Sequence, residues 1–203
     1  MRSAHRRLAP ASLLALIGAL LLGRALLGAA DPGRPAFRVT PAKYEIPTVS
    51  LIDQDGKRVP LAEALGGPEP VGLNFFFASC RTICPVMSSA FAGMREKLGK
   101  DGASLRLVSI SIDPEQDTPE VLRTYAKRFG AGREWTFLTG TQEQIDVVLR
   151  SFLAESGGKF NHQPLFFFRD GAADQWLRVD GLAGAGDLAS VARRLHLSPR
   201  TPG

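Results

Sequence analysis

The sequence predicts an α/β fold with a mixed central sheet flanked by helices and an N-terminal β-hairpin added to it. Two apolar runs, VGLNFFF at 71–77 and LRLVSISI at 105–112, have the length and pattern of strands buried on both faces. A segment with apolar residues at helical spacing follows each of them. Two later strand-like segments flank Asp170-Gly171, a hairpin signal. Crossover helices join parallel strands and a hairpin adds antiparallel ones, so the sheet is expected to be mixed.

Taken along the chain, residues 31–43 are rich in Pro and Gly and read as a linker. Residues 44–52 are expected as a strand, with Asp55-Gly56 turning into a short partner at 57–59 and a helical turn at 60–65. The helix after the first buried run is expected over 85–100, with Met87, Phe91, Met94 and Leu98 inward and Lys97 and Lys100 at its C-terminal end. Thr118 before Pro119 and Glu120 opens a second helix, whose stripe is Val121, Leu122, Tyr125, Ala126 and Phe129. A short strand at 136–138 precedes Thr141 and Gln144, the spacing of a capping box, with Ile145, Val148, Leu149 and Phe152 behind it. Strands at 165–168 and 175–179 and a helix at 187–195 complete the domain, expected over 44–197 with a tail at 198–203.

Of the 203 residues, 44% are hydrophobic and 22% charged, ordinary for a soluble globular domain with a sizeable core. The net charge of +5 does not point to nucleic acid. Residues 1–30 hold Arg2, Arg6, Arg7 and Arg24 and no acid, leaving 21 basic against 20 acidic residues elsewhere, with no basic run interleaved with aromatics. Those thirty residues read as targeting: a basic start, an apolar run over 8–23, then Gly28, Ala29 and Ala30 as a cleavage site. Residues 8–30 are also long enough to cross a hydrocarbon layer of ~30 Å as an uncleaved anchor. In either form the arginines stay inside and the folded part is exported, to the periplasm or to the periplasmic face of the inner membrane.

Both cysteines of the chain fall in one motif, Cys80-Arg81-Thr82-Ile83-Cys84-Pro85. A secreted disulfide scaffold uses more cysteines and spreads them, so this pair reads as chemical before structural. If a helix begins near Cys80, both sulfurs fall on one face and meet unpaired N–H groups at the positive end of the helix dipole. Such places lower a thiol from about 8.5 to roughly 3.5–7.5, favouring a thiolate pair that ligates a soft metal or cycles through a disulfide. Two thiolates suit Cu(I), and an imidazole completes a three-coordinate site. His5 lies in the leader and His196 in the polar tail, while His162 stands just before the strand at 165–168. Position alone leaves His162 open between surface residue and ligand.

A buried strand that hands two cysteines to a helix resembles the thioredoxin fold, in which the loop entering the late strand faces the cysteines. The segments FFFASCRTICPVM (75–87), SISIDPEQDTPEVLRTYAKRFG (109–130), TFLTGTQEQIDVV (136–148) and NHQPLFFFRDG (161–171) resemble the SCO (SenC) family. Those are thioredoxin-fold proteins that bind copper and assist assembly of the CuA centre of cytochrome c oxidase. The resemblance implies metal ligation by Cys80, Cys84 and His162, copper as the metal, and as partner the oxidase subunit carrying CuA or another exported copper protein. Asp113 and Asp117 lie in the family's DPxxDTP stretch and read as loop caps, not as ligands. Two departures stand beside the match. Asn161 occupies the place where the family usually has Asp before the His, and Pro164 stands near the cis-proline position of thioredoxin-like oxidoreductases.

The leading expectation is therefore a copper metallochaperone, with a possible membrane anchor. The alternative is an exported thiol–disulfide oxidoreductase, with Cys80 as nucleophile and Cys84 resolving, for which copper is not obligatory. A peroxidase of the peroxiredoxin type fits poorly, because Ser79 and its surroundings do not match the PxxxTxxC pattern.

Overall fold

The run at 71–77 becomes a central strand because every residue of it finds apolar cover. All six positions of Val71–Phe76 (β4) are buried, with Leu73 and Phe75 packed into one core cluster and Phe76 into the other. The computed structural model describes residues 36–158 and 161–195. Before β4 come β1 (Phe37–Ala42), β2 (Ser50–Asp53), β3 (Arg58–Pro60) and the short helix α1 (Leu61–Leu65). After it follow α2 (Ile83–Leu98), β5 (Arg106–Ser111), α3 (Pro119–Arg128), β6 (Trp135–Thr139) and α4 (Gln142–Ser151). The described part ends with β7 (Leu165–Asp170), β8 (Gln175–Gly181) and α5 (Ala185–Ala192). The mixed sheet has eight strands in the order β1-β8-β7-β4-β5-β6-β2-β3. Strands β4, β5 and β6 are mutually parallel, and the other pairings are antiparallel.

Helices α2, α3 and α5 cover one face and α1 and α4 the other. Strand β7 divides its side chains by strict alternation, Phe166 and Phe168 to the first face, Leu165 and Phe167 to the second. Phe91 of α2 is fully buried among the rings of Phe166, Trp135 and Phe168, with centroids 5.2, 5.9 and 6.2 Å away. The cap signals are realised. Thr118 Oγ1 accepts from Val121 N–H at 3.4 Å, and Thr141 with Gln144 forms the reciprocal capping box.

Three expectations need correction. The linker expected over 31–43 ends early, since Phe37–Ala42 pairs with β8 along its whole length as an edge strand. Pro41 and alternating exposure disguise it, and both are characteristic of sheet edges. The strand expected over 44–52 is confined to β2, because Pro47 interrupts it. Tyr44 instead leaves the sheet and packs on Phe152, Phe167 and Trp176 with centroids 5.1, 5.4 and 5.8 Å away. Finally, the helix expected over 85–100 spans Ile83–Leu98, so it starts two residues earlier and leaves Cys80 just outside it. His5, His196 and the proposed leader lie outside the described residues. Among the described residues, no helix is long and apolar enough to cross a membrane.

Phe91→Ala is expected to cost about 3–5 kcal/mol, since its cavity is lined by rigid rings. Urea denaturation of parent and variant measures this, and a loss below about 1 kcal/mol would mean that the cluster collapses freely.

Candidate metal and redox centre

Parallel pairing of β4 with β5 puts their C-terminal ends at the same edge of the sheet, and the loops that leave them meet there. Strand β7 runs antiparallel to β4, with Asn74 opposite Phe166, so the chain entering β7 arrives at that edge too. Ligand sites of α/β sheets gather outside these carboxyl ends. The fold thus delivers Cys80, Cys84 and His162 to one edge from two separate segments.

Cys84 occupies the second residue of α2 and Cys80 the turn before it. Thr82 is at the N-cap but its side chain accepts no capping hydrogen bond. The sulfur of Cys80 supplies a cap, accepting the Cys84 N–H at 3.4 Å and lying 3.7 Å from Thr82 Oγ1. Pro85 follows with no N–H of its own to satisfy, which suits the first turn. Both cysteines are free thiols; Cys84 is fully buried and Cys80 keeps 7% of its surface in contact with solvent.

These positions push the two thiols in opposite directions. Burial raises the Cys80 pKa, but hydrogen bonds from the N–H and side chain of Cys84 and of Thr82 outweigh it and hold the thiol below its ordinary value. Burial also dominates at Cys84, where the neighbouring Cys80 and Asp117 charges add to it and the thiol is pushed up to about 12. Of the two thiols, Cys80 is therefore the one that ionises first.

His162 is buried at the entrance to β7. Its Nε2–H donates to the Phe75 carbonyl at 2.9 Å, just beyond the Asn74–Phe166 pair where the β4–β7 ladder stops. Burial lowers the imidazole pKa and the Phe75 carbonyl partly opposes that, so the ring is neutral at pH 7 with Nδ1 as its basic nitrogen. The ring is oriented by a main-chain carbonyl, while Asn161, in the place of the family's carboxylate, is exposed. The peptide bond before Pro164 is trans. The cysteines are brought together; His162 reaches the same sheet edge but does not join them in one cluster. Among the described residues no three His, Cys, Asp or Glu side chains stand close enough to share an ion.

Sequence reasoning assigned Asp117 only a capping role, and its part is larger. Its buried Oδ2 accepts the Ala78 N–H at 2.9 Å and the Ser111 hydroxyl at 2.5 Å, while Ser111 Oγ accepts the Asp113 N–H at 3.0 Å. The carboxylate thereby ties the loop after β5 to the loop that carries Cys80. Tyr125 was legible only as an apolar stripe residue, yet its hydroxyl is 3.0 Å from Ser88 Oγ. Burial, with the cysteine charges nearby, raises its pKa and keeps the phenol neutral beside the pair.

The SCO1/SenC family profile matches residues 39–174. This chain belongs to the SCO/SenC family. It is 36% identical over 135 residues to the SCO1 protein homolog of Bacillus subtilis, covering 63% of this chain and 69% of that one. The solved structure of BsSco, a member of the Sco family of cytochrome c oxidase assembly proteins in which a disulfide switch is identified, superposes with a TM-score of 0.63. That match is 30% identical and covers 76% of this chain and 95% of BsSco. Arabidopsis thaliana ScoI with copper bound matches with a TM-score of 0.61 and 28% identity over 71% of this chain and 93% of that one. These SCO neighbours have the thioredoxin-like architecture expected from the sequence.

At pH 7, iodoacetamide is expected to modify Cys80 well before Cys84, as read by peptide mass spectrometry; equal rates would overturn the thiol asymmetry. Asp117→Ala removes the acceptor from Ala78 N–H and Ser111 and should cost about 1–3 kcal/mol by thermal or urea denaturation. An unchanged midpoint would show that the two loops hold each other without it.

Proposed function

We propose that this protein is a copper metallochaperone of the SCO type that delivers copper to the CuA site of cytochrome c oxidase or prepares the thiols of that site. The observation that carries the reading is the thiol pair at the N-terminus of α2, with Cys80 Sγ on the Cys84 N–H and an edge of Cys80 open to solvent. Copper is the cargo. Cu(I) favours soft sulfur donors and low coordination numbers, which Cys80 and Cys84 supply, and the neutral ring of His162 is the third donor from the chain entering β7. Loading displaces the Cys84 proton, because metal binds thiolate and not thiol. Unloading requires an incoming thiolate to reach the copper, and the exposed side of Cys80 gives it access. Copper-bound ScoI and the assembly role stated for BsSco support the same reading. Residues 1–30 carry the chain out of the cytoplasm, as a cleaved signal or as a retained anchor, and the partner is the exported oxidase subunit.

A second reading rests on the asymmetry of the pair. The Cys80 thiolate attacks one sulfur of a partner disulfide, and the other partner sulfur leaves as a thiolate. Cys84 then loses its proton to solvent and attacks Cys80, which releases the second partner thiolate. Two electrons pass from this dithiol to the partner, and Cys80 and Cys84 end as a disulfide. This exchange needs both cysteines and makes no use of His162.

Anaerobic Cu(I) titration of the reduced protein against a competing chelator separates the readings. One tightly held copper is expected in the parent, with affinity reduced at least about tenfold in His162→Ala and lost in Cys80→Ser and Cys84→Ser. Binding indifferent to His162 would remove it from the ligand set, and no competitive binding would leave thiol–disulfide exchange as the function.

A further inference from the structure

Two clefts adjoin at the edge of the sheet where Cys80 emerges. One, of about 520 Å³, is lined by Ala78, Ser79, Cys80, Arg81, Pro85 and Arg128. The other, of about 370 Å³, shares Ala78 and Arg128 and continues along α3 past Thr124 and Val121 to Glu120. Together they form a groove with the reactive sulfur near one end. Arg81 and Arg128 are both exposed, and neither has an ion-pair partner among the described residues. Arg128 lies 5.4 Å from the centroid of the Phe129 ring, on its own helix. Apolar surface borders the cations: Val121 lies in the groove and Val86 follows Pro85, and these are two of the few large hydrophobic side chains left exposed, at 36% and 47%. The one acid on the groove, Glu120, stands in the cleft that does not contain Cys80.

From this arrangement we infer that the groove docks an extended segment of the recipient protein whose acidic side chains directly flank its cysteine. Resting on the function proposed above, the inference names the chemistry of the partner at that site. The recipient sulfur meets Cys80, neighbouring carboxylates pair with Arg81 and Arg128, and an apolar residue covers Val121. Glu120 repels acid at the far end, so the charges belong next to the cysteine and not distributed along the segment. Rim charges of this kind act chiefly on the encounter rate and on partner choice, and salt screens them.

The groove is tested without copper, on the reduced full-length protein in detergent. Two peptides share one cysteine, activated as a mixed disulfide with thionitrobenzoate; one carries Asp beside the cysteine, the other Lys. The Cys80 thiolate attacks the peptide sulfur, forming the Cys80–peptide disulfide and releasing coloured thionitrobenzoate, which gives the rate directly. The ratio of the two rates is the readout, because a change in thiol reactivity or folding moves both peptides together. The Asp peptide is expected to react roughly fivefold to tenfold faster at low salt, with the ratio shrinking as salt rises. Arg81→Gln with Arg128→Gln should bring the ratio towards one, and Arg81→Glu with Arg128→Glu should invert it. Equal rates in the parent, or a preference that survives both double variants, would overturn the docking surface and leave the proposed function standing. Failure of both peptides to react with Cys80 would overturn the exchange chemistry and the groove together.

Discussion

The Asp117 carboxylate is the contact on which the geometry of this edge depends. A sheet edge presents loops, and a loop carrying a reactive cysteine has to be held by something other than strand pairing. Here one buried oxygen accepts from Ala78 N–H and from Ser111, bridging the ends of β4 and β5. The Ile112 N–H adds a bond to the Phe76 carbonyl at 2.8 Å, so the two loops leave the sheet in register. A buried carboxylate is costly unless its hydrogen bonds are satisfied, and these donors satisfy it. The same charge lies close enough to Cys84 to help keep that thiol protonated. Structure and chemistry are thus set by one group.

From that anchoring follows the division of labour between the sulfurs. The start of α2 leaves N–H groups without helical partners, and the chain has no hydroxyl cap in place at Thr82. Cys80 Sγ takes the cap position from the preceding turn. A thiolate accepts a hydrogen bond better than a thiol does, so stabilising the helix end and ionising Cys80 are the same event. At Cys84, one turn further in and closed off by the core, a hydrogen bond from the Phe77 backbone offsets only part of the cost of burial. An unequal pair results from a single chain direction: the sulfur outside the helix meets its N–H groups, and the sulfur inside it meets apolar side chains such as Met87 and Phe76 in the shared core.

Much of this was legible in the sequence, and the parts that were not have physical reasons. Buried runs such as 71–77 and cap signals such as Thr141 with Gln144 are local, and local patterns survive into the fold. Phe37–Ala42 was missed because an edge strand is defined by its neighbour, β8, and tolerates the Pro41 that suggested a linker. The helix expected from Pro85 starts at Ile83, two residues earlier, and Cys80 stays outside it, because CxxxC matches helical spacing whether or not the first cysteine is helical. Asp117 looked like an ordinary capping acid; its bond to Ala78 spans 39 positions of sequence, and no local pattern encodes such a contact. The His162 partner is a backbone carbonyl 87 positions away, equally beyond any motif.

The position of His162 explains how one edge can support two kinds of chemistry. Metal ligation and disulfide exchange share their first requirement, an accessible thiolate on Cys80, and both end with Cys84 deprotonated. They diverge at the third group. Exchange transfers electrons between sulfur atoms and has no use for an imidazole, whereas a soft ion held by two sulfurs is held more firmly by a neutral third donor. Burial keeps the His162 ring neutral, and the Phe75 carbonyl fixes which nitrogen carries the hydrogen. A histidine needed only for solubility would gain nothing from that restraint. Its burial and its fixed tautomer leave Nδ1 as the basic nitrogen, which is what the ligand role proposed for it requires.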